Sequence, residues 1–264
     1  MKTLKFLGEM TMAVINLGNG DDNTFGTLLT DTIYGNGGND TISALDSDDV
    51  IYGGSSQTAF NNGAFDGNDL LNGNWGHDLI YGGTGNDQLF GGSGKDTLHG
   101  GYGNDLLIGG GGNDALFGNE GDDTLIGSGK ENSGSLGISI GKGEIDYLSA
   151  GTAANNGKDT FYLGQKDHTG TARVFYDDQV ATTAGLADYA QIAYFNKNED
   201  KIKLAGSKSL YILKNSPISL GLADKADTGV YLKGTNGAAN ELIAVIQDVA
   251  VGQLSLASDY FKTI

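Results

Sequence analysis

Aspartate recurs every nine residues through the first half of the chain, and this spacing is the pattern with the clearest chemistry. In a frame of nine-residue blocks, the sixth position is aspartate at Asp22, Asp31, Asp40, Asp49, Asp69, Asp78, Asp87, Asp96, Asp105, Asp114 and Asp123. Carboxylates are the hard oxygen ligands that calcium-like cations prefer. A regular row of them beside glycine therefore predicts a row of cation sites.

The blocks are clearest between residues 73 and 126, where six follow one another without a gap. They read GNWGHDLIY, GGTGNDQLF, GGSGKDTLH, GGYGNDLLI, GGGGNDALF and GNEGDDTLI. Glycine at positions 1, 2 and 4 allows backbone conformations with positive φ and brings carbonyl groups close together. Position 8 is apolar in nearly every block, whereas positions 7 and 9 vary. This alternation predicts a short strand whose middle side chain points inward.

One strand and one turn per block predict a coil that closes every two blocks, so that aspartates 18 residues apart stack on one edge. Residues 53–63 interrupt the frame as an eleven-residue spacer without aspartate. We expect one edge to carry Asp22, Asp40, Asp78, Asp96 and Asp114, and the other to carry Asp31, Asp49, Asp69, Asp87, Asp105 and Asp123. Stacked strands lie about 4.8 Å apart, so bare carboxylates on one edge repel each other. Calcium fits between them better than magnesium, which requires tighter octahedral geometry.

Composition restricts the class of protein further. The 264 residues include 45 glycines, one proline and no cysteine, with a formal net charge of −17. Residues 17–126 hold 16 aspartates and one glutamate against one lysine. The lack of cysteine excludes disulfide scaffolds, zinc–cysteine sites and thiol nucleophiles. The acidic surplus argues against nucleic-acid partners, and no apolar run is long enough for membrane insertion.

The nonapeptide resembles the hemolysin-type calcium-binding repeat of RTX proteins, GGxGxDxUx, over residues 17–126. The resemblance implies an all-β fold, a right-handed parallel β-roll that binds several calcium ions. In that family the carbonyls of positions 2 and 4 and the aspartate of one turn bind calcium together with the carbonyls of positions 1 and 3 and the aspartate of the next turn on the same edge.

Carried over to this chain, the resemblance implies specific ligands. One site would combine Gly83, Gly85 and Asp87 with Gly100, Tyr102 and Asp105, and another Gly92, Gly94 and Asp96 with Gly109, Gly111 and Asp114. Further ligands would be Gly18, Gly20, Gly35, Gly37, Asn74, Gly76, Gly82, Gly91, Gly101, Gly103 and Gly118. The site of Asp31 and Asp49 departs from the pattern, because Leu29 and Ala44 replace glycines.

The rest of the chain divides into a lead-in, degenerate repeats and a C-terminal region. Residues 1–16 precede the array, and the blocks 141–149 and 155–164 keep Asp146 and Asp159, which either bind calcium or cap strand turns. Residues 17–164 are thus assigned to the roll. Alternating runs and turn signals in 165–264 predict an antiparallel β cap for its open end. This region resembles the C-terminal region of RTX proteins, which implies export by type I secretion machinery and an extracellular or cell-surface location.

The sequence does not predict an enzyme. His77, His99 and His168 lie far apart, and His77 and His99 are expected to be exposed turn or strand residues. The segment GISIG at 137–141 matches the nucleophile elbow GxSxG, but that motif needs a strand, a helix and a large α/β sheet around it. The alternative is a secreted hydrolase-like enzyme or toxin whose repeats only assist export. The short lead-in before the repeats favours an extracellular structural component of a surface layer, fibril or coat.

Two consequences are expected for folding and assembly. With one inward apolar side chain per block, the bare array has too little core to offset self-repulsion and chain entropy, so calcium is expected to switch folding on. Position 9 is expected to form two outer ladders, one of Tyr34, Tyr52, Asn72, Phe90, Ile108 and Ile126 and one of Phe25, Ser43, Gly63, Tyr81, His99 and Phe117. Either the C-terminal region covers the first ladder, or that ladder joins copies into a homo-oligomer or polymer through Phe90 and Ile108.

Overall fold

Short β-strands make up most of the chain that the structure describes. The computed structural model covers residues 12–54, 66–128, 145–151, 157–166, 172–174, 189–220, 225–233 and 239–264. The strands up to residue 128 are β1 (Val14–Asn16), β2 (Asn23–Phe25), β3 (Thr32–Asn36), β4 (Thr41–Asp46), β5 (Val50–Gly54), β6 (Leu70–Trp75), β7 (Leu79–Thr84), β8 (Gln88–Ser93), β9 (Thr97–Tyr102), β10 (Leu106–Gly111), β11 (Ala115–Glu120) and β12 (Thr124–Ser128). The later strands are β13 (Ile145–Ser149), β14 (Thr160–Tyr162), β15 (Gly164–Lys166), β16 (Ala172–Val174), β17 (Tyr189–Ala193), β18 (Lys201–Leu204), β19 (Tyr211–Asn215), β20 (Thr228–Leu232), β21 (Glu241–Ile246) and β22 (Phe261–Thr263). Among these residues, no helix is long and apolar enough to cross a membrane.

The strands up to β14 alternate between two parallel sheets. Sheet 1 has the order β1-β3-β5-β7-β9-β11-β13-β17-β21-β20-β19, and sheet 2 has the order β2-β4-β6-β8-β10-β12-β14-β18-β22. In the regular part of the coil, paired residues are 18 apart, as in Thr32 with Val50 and Gln88 with Leu106. The predicted parallel β-roll is confirmed.

The core is a layer of aliphatic side chains between the two sheets. Each comes from position 8 of a block and is at most 1 % exposed: Ile33, Ile42, Ile51, Leu71, Ile80, Leu89, Leu98, Leu107, Leu116 and Leu125. Their neighbours at positions 7 and 9 point outward, because successive side chains of a strand alternate between its two faces. The predicted inward positions are therefore correct.

Gly53 and Gly54 belong to β5 and not to the predicted spacer 53–63, so the eleven inserted residues are 55–65. The predicted composition of the two edges is also wrong. Val50 pairs with Leu79, and Thr41 pairs with Leu70, at a separation of 29 residues instead of 18. Asp78 therefore stacks on Asp49, where we expected Asp69. Eleven additional residues can leave a turn and return without a register change, because any other register would move the position 8 side chains out of the core.

The outer ladders change composition for the same reason. On sheet 1, the rings of Tyr34, Tyr52, Tyr81, His99 and Phe117 stack with centroids 4.7–5.1 Å apart. Sheet 2 carries Phe25, Ser43, Asn72, Phe90, Ile108 and Ile126 at the equivalent positions. Gly63, which we expected in a ladder, lies outside the described residues.

The C-terminal region continues the roll, and only part of it is antiparallel. Strands β17, β18, β21 and β22 add to the two sheets in parallel orientation. Antiparallel pairing joins β19 to β20, β20 to β21 and β15 to β16. The expected antiparallel pairing is therefore wrong for β17, β18, β21 and β22. Alternation of apolar and polar residues is the same in both kinds of sheet, and only the tertiary partner decides the direction.

The core layer predicts a sharp difference between two adjacent leucines of β10. Leu107 is 0 % exposed, whereas Leu106 points outward and is half-buried. Leu107→Ala should lower the free energy of unfolding by about 2–5 kcal/mol because it leaves a cavity between the sheets. Leu106→Ala should cost roughly 1 kcal/mol or less. Denaturant unfolding of both variants in saturating calcium measures the two losses, and equal losses would contradict the assigned strand faces.

Candidate metal sites

The repeated aspartates form two hydrogen-bonded ladders, one at each edge of the roll. Ladder 1 consists of Asp31, Asp49, Asp78, Asp96, Asp114 and Asp146. Ladder 2 consists of Asp22, Asp40, Asp69, Asp87, Asp105, Asp123, Asp159 and Asp200. Each backbone N–H donates to Oδ1 of the aspartate in the next turn, over 2.7–3.1 Å. Each carboxylate is thereby fixed above the next strand of its sheet.

The ladders extend beyond the glycine-rich blocks. Asp146 and Asp159 are 0 % exposed and continue the two rows, and Asp200 adds a member that we did not identify from the sequence. The signal for Asp200 was present, because it directly precedes KIKL, whose Ile202 is buried like a position 8 residue. It was missed because no glycine stands at the usual places.

The second carboxylate oxygen has one of two environments in ten of the fourteen ladder aspartates. In Asp22, Asp31 and Asp200, Oδ2 accepts the backbone N–H of the residue four positions earlier. In Asp40, Asp49, Asp69, Asp78, Asp87, Asp105 and Asp123, Oδ2 is buried without a hydrogen-bond partner. A buried ionised oxygen without a partner is strongly unfavourable. These seven oxygens are therefore suited to bind a cation that prefers oxygen ligands. Oδ2 of Asp22, Asp31 and Asp200 is already stabilised by a hydrogen bond.

The position 1 glycines bring a backbone carbonyl next to this oxygen. A Cβ atom on Gly82 would lie 2.4 Å from Asp87 Oδ2 and 2.5 Å from the carbonyl oxygen of Gly100 in the next turn. A Cβ atom on Gly91 would meet Asp96 Oδ2 at 2.5 Å and the Gly109 oxygen at 2.6 Å. Only glycine lets these oxygens approach each other. The two pairs belong to the ligand sets that the resemblance implies, and their binding of calcium stays a prediction.

Other implied ligands are engaged in the backbone of the turns. The carbonyls of Tyr102 and Gly111 accept the N–H groups of Gly85 and Gly94, and each keeps a second lone pair. Positive φ occurs at positions 2 and 4, as in Gly83 at 121°, but not at position 1. Our expectation for position 1 is thus corrected, because glycine is required there for the close approach to the carboxylate.

Burial makes the ionised ladders costly without a cation. It raises the pKa of Asp69, Asp105 and Asp159 from 3.8 to about 8. Burial also raises the pKa of Asp49, Asp78, Asp87 and Asp123 to about 7, and neighbouring carboxylates add to each of these shifts. In the described residues, no three histidine, cysteine, aspartate or glutamate side chains gather around one point. Backbone carbonyls are therefore needed to complete any site.

The turns also contain an amide ladder that sequence reasoning missed. At position 5, Oδ1 of Asn39, Asn68 and Asn86 accepts the backbone N–H of the same position in the next turn, at 2.6–2.7 Å. His77 is exposed, as expected, and its Nδ1 accepts the N–H of Lys95. The recurrence of asparagine at position 5 was the available signal.

Of the other candidate catalytic features, only His99 lies within the described residues. His99 is not an exposed residue, because it stacks between Tyr81 and Phe117, and burial lowers its pKa. His168 and the GISIG segment at 137–141 lie outside the described residues.

Acid should partly replace the cation. The raised pKa values mean that the folded chain binds protons more tightly than the unfolded chain, whose aspartates titrate near 3.8. The resulting stabilisation is complete below pH 3.8 and is lost as the pH rises through about 7 to 8. In a chelator, the β-structure signal in circular dichroism should therefore increase as the pH falls from 8 to 5. A constant signal over this range would refute the buried, uncompensated carboxylates.

Removal of a carboxylate should have effects that depend on its place in the ladder. Asp105 lies between Asp87 and Asp123, so Asp105→Asn should weaken two cation sites. Asp22 is followed by Asp40 and its Oδ2 already accepts the N–H of Gly18, so Asp22→Asn should affect one site at most. Calorimetric titration with calcium gives the number of ions bound by each variant. Equal losses in the two would contradict the stacking.

Comparisons with known proteins bear on these repeats. The model of the RTX calcium-binding nonapeptide repeat (four copies) matches residues 25–56, 66–89 and 90–125. Among solved structures, the chain is similar to the solution structure of the AlgE6R3 subunit from the Azotobacter vinelandii mannuronan C5-epimerase, with 17% identity, coverage of 93% of this chain and 80% of that chain, and a TM-score of 0.20. No match was found among the curated proteins. The matched residues hold most aspartates of the two ladders and their position 1 glycines, so this part of the chain consists of RTX, or hemolysin-type, calcium-binding repeats.

Proposed function

We propose that this calcium-binding β-roll is an extracellular structural protein without catalytic activity, which folds when it meets calcium and then assembles with copies of itself. The observation that carries the folding step is the row of seven buried Oδ2 atoms without a partner. A chain with this row unneutralised resists folding, because metal binding and folding share one free energy. Export of the unfolded chain by type I secretion machinery and folding outside the cell are consistent with this behaviour.

A structural role is supported by how the strands are used. Of the 22 strands in the described residues, 20 belong to the two sheets of the roll or its C-terminal continuation. These residues contain no separate compact unit that could act as an effector. The roll thus occupies most of the part of the chain that the structure describes. A continuous pair of sheets of this kind is suited to a structural role.

Assembly is supported by the outer face of sheet 1. Positions 7 and 9 of β3, β5, β7, β9 and β11 carry no aspartate, glutamate, lysine or arginine, and the stacked rings of this face are half-buried. Flat, uncharged faces of aromatic and β-branched residues are typical of contacts between sheets. The second copy of this chain is the occupant that we propose.

The sequence-based choice of Phe90 and Ile108 as the assembly surface is not favoured. Phe90 is only 4 % exposed, although it lies on the outer face of sheet 2. A side chain that is already covered contributes little to a new contact. The aromatic ladder of sheet 1 takes its place in the proposal.

Calcium should produce both folding and polymers, and the two effects should separate in one variant. Light scattering and far-ultraviolet circular dichroism of the wild type should both rise with calcium. Tyr52→Ser with Tyr81→Ser should fold with calcium but stay monomeric, because the stacked face is lost. The matched control replaces Phe25 and Trp75, two aromatic residues of sheet 2 that are each 62% exposed, with serine and should still polymerise.

Two results would count against the proposal. Strand structure that is complete in a chelator at neutral pH would refute calcium-dependent folding. Undiminished polymerisation of the tyrosine variant would exclude the sheet 1 face as the contact.

A further inference from the structure

Asp66 is a buried carboxylate outside the regular aspartate position. It stands at position 3 of its turn, directly after the eleven-residue insertion, and is 5 % exposed. Its Oδ1 accepts the N–H of Thr84 at 2.7 Å and the Thr84 hydroxyl at 2.6 Å. Its own N–H donates to the Thr84 hydroxyl oxygen at 2.9 Å. This clamp, Asp66 with Thr84, fixes the return of the chain into register, but it uses only one of the two carboxylate oxygens.

The other oxygen of Asp66 occupies a place that a backbone carbonyl takes elsewhere. A Cβ atom on the position 2 glycine Gly92 would meet the carbonyl oxygen of Asn74, which is position 2 of the preceding turn, at 2.0 Å. The same contact recurs on the other edge, where a Cβ atom on Gly151 would lie 2.5 Å from the Asn119 oxygen. At Gly83, the atom in this place is Asp66 Oδ2, at 2.5 Å.

The insertion explains the exchange. The preceding turn reaches position 2 at Gly54, and the described chain resumes at Asp66, position 3 of that turn. Asp66 Oδ2 therefore stands where the carbonyl oxygen of position 2 stands in uninterrupted turns. It is buried and has no hydrogen-bond partner. A neutral oxygen of the regular array is thus replaced by a charged one.

The charge of Asp66 acts on ladder 2 at this level. Its carboxylate contributes to the raised pKa of Asp40, Asp69 and Asp87. Besides burial, which has the larger effect, the charge of Asp66 raises the pKa of Asp87. This stretch of the edge consequently has one more buried carboxylate than the regular repeats.

We propose that Asp66 Oδ2 is an additional calcium ligand at the level of Asp69 and Asp87, and that this level is the tightest calcium site of the roll. The inference rests on the calcium-dependent folding proposed above. Calcium affinity increases with the number of charged ligands. The carboxylates of Asp66, Asp69 and Asp87 do not surround one point in the structure. We therefore expect a bound ion to draw their unpartnered oxygens together and to hold the turn that follows the insertion.

Three variants of the full chain separate a ligand from a structural clamp. Asp66→Asn removes the charge but keeps an oxygen that can accept from Thr84. Thr84→Val removes the hydroxyl of the clamp and keeps the charge. Asp48→Asn is the matched control, because Asp48 is exposed and accepts the N–H of His77 in the way that asparagine does elsewhere at position 5.

Calorimetric titration with calcium is the measurement, with the calcium midpoint of folding by circular dichroism as a second readout. The wild type should show one binding step tighter than the rest. Asp66→Asn should weaken this step by about tenfold or more, as expected for loss of a metal-site partner, and should shift the folding midpoint to higher calcium. Thr84→Val and Asp48→Asn should keep the tight step.

The outcomes distinguish this inference from the proposed function. An unchanged first step in Asp66→Asn, or an equal weakening in Thr84→Val, would overturn the ligand role. A variant that folds only at higher calcium than the wild type and the Asp48→Asn control would support it. If the wild type bound no calcium, both the proposed function and the inference would fail. If the wild type bound calcium at sites of equal affinity, with no tighter step, the inference alone would be refuted.

Discussion

The structure depends on the stacking of like charges at an interval of one turn. Each aspartate of a ladder lies above the next, held through Oδ1 by a backbone N–H, as between Asp87 and Asp105. Seven of the second oxygens are buried and have no partner. Coulomb repulsion and desolvation both oppose this arrangement. The same geometry that gives the roll its regular hydrogen bonds therefore favours a bound cation beside these oxygens.

The other repeat positions make this stacking possible. The position 1 glycines leave room for the carboxylate beside a carbonyl of the next turn, as Gly82 does for Asp87 and Gly100. The inward leucines and isoleucines fix the distance between the sheets, and the position 5 amides connect the turns at the surface. None of these groups neutralises the carboxylates. They set the positions of the oxygens, and under the proposed function a bound ion supplies the free energy that keeps the oxygens there.

The irregular parts of the chain show how firmly the register is held. The insertion before Asp66 leaves the coil unchanged, because the clamp to Thr84 and the inward Leu71 restore the frame at once. The C-terminal strands then extend both sheets until β19 and β20 close sheet 1 in antiparallel orientation. A long parallel edge is an aggregation risk, and a change of strand direction at its end shortens the exposed parallel ladder.

The sequence by itself determined the repeat, the inward residues, the parallel β-roll and most aspartates of the ladders. These features follow from a local period of nine, which every block restates. Only the tertiary structure decided that Asp69 stacks on Asp40 and Asp78 on Asp49, that β17, β18, β21 and β22 are parallel, that Asp200 continues ladder 2, and that Asp66 is buried against Thr84. In each of these cases a residue finds its partner after a break in the period. The local sequence pattern then does not determine the register between strands. The strand pairs in the register that keeps Leu71, Ile80 and Ile202 in the core.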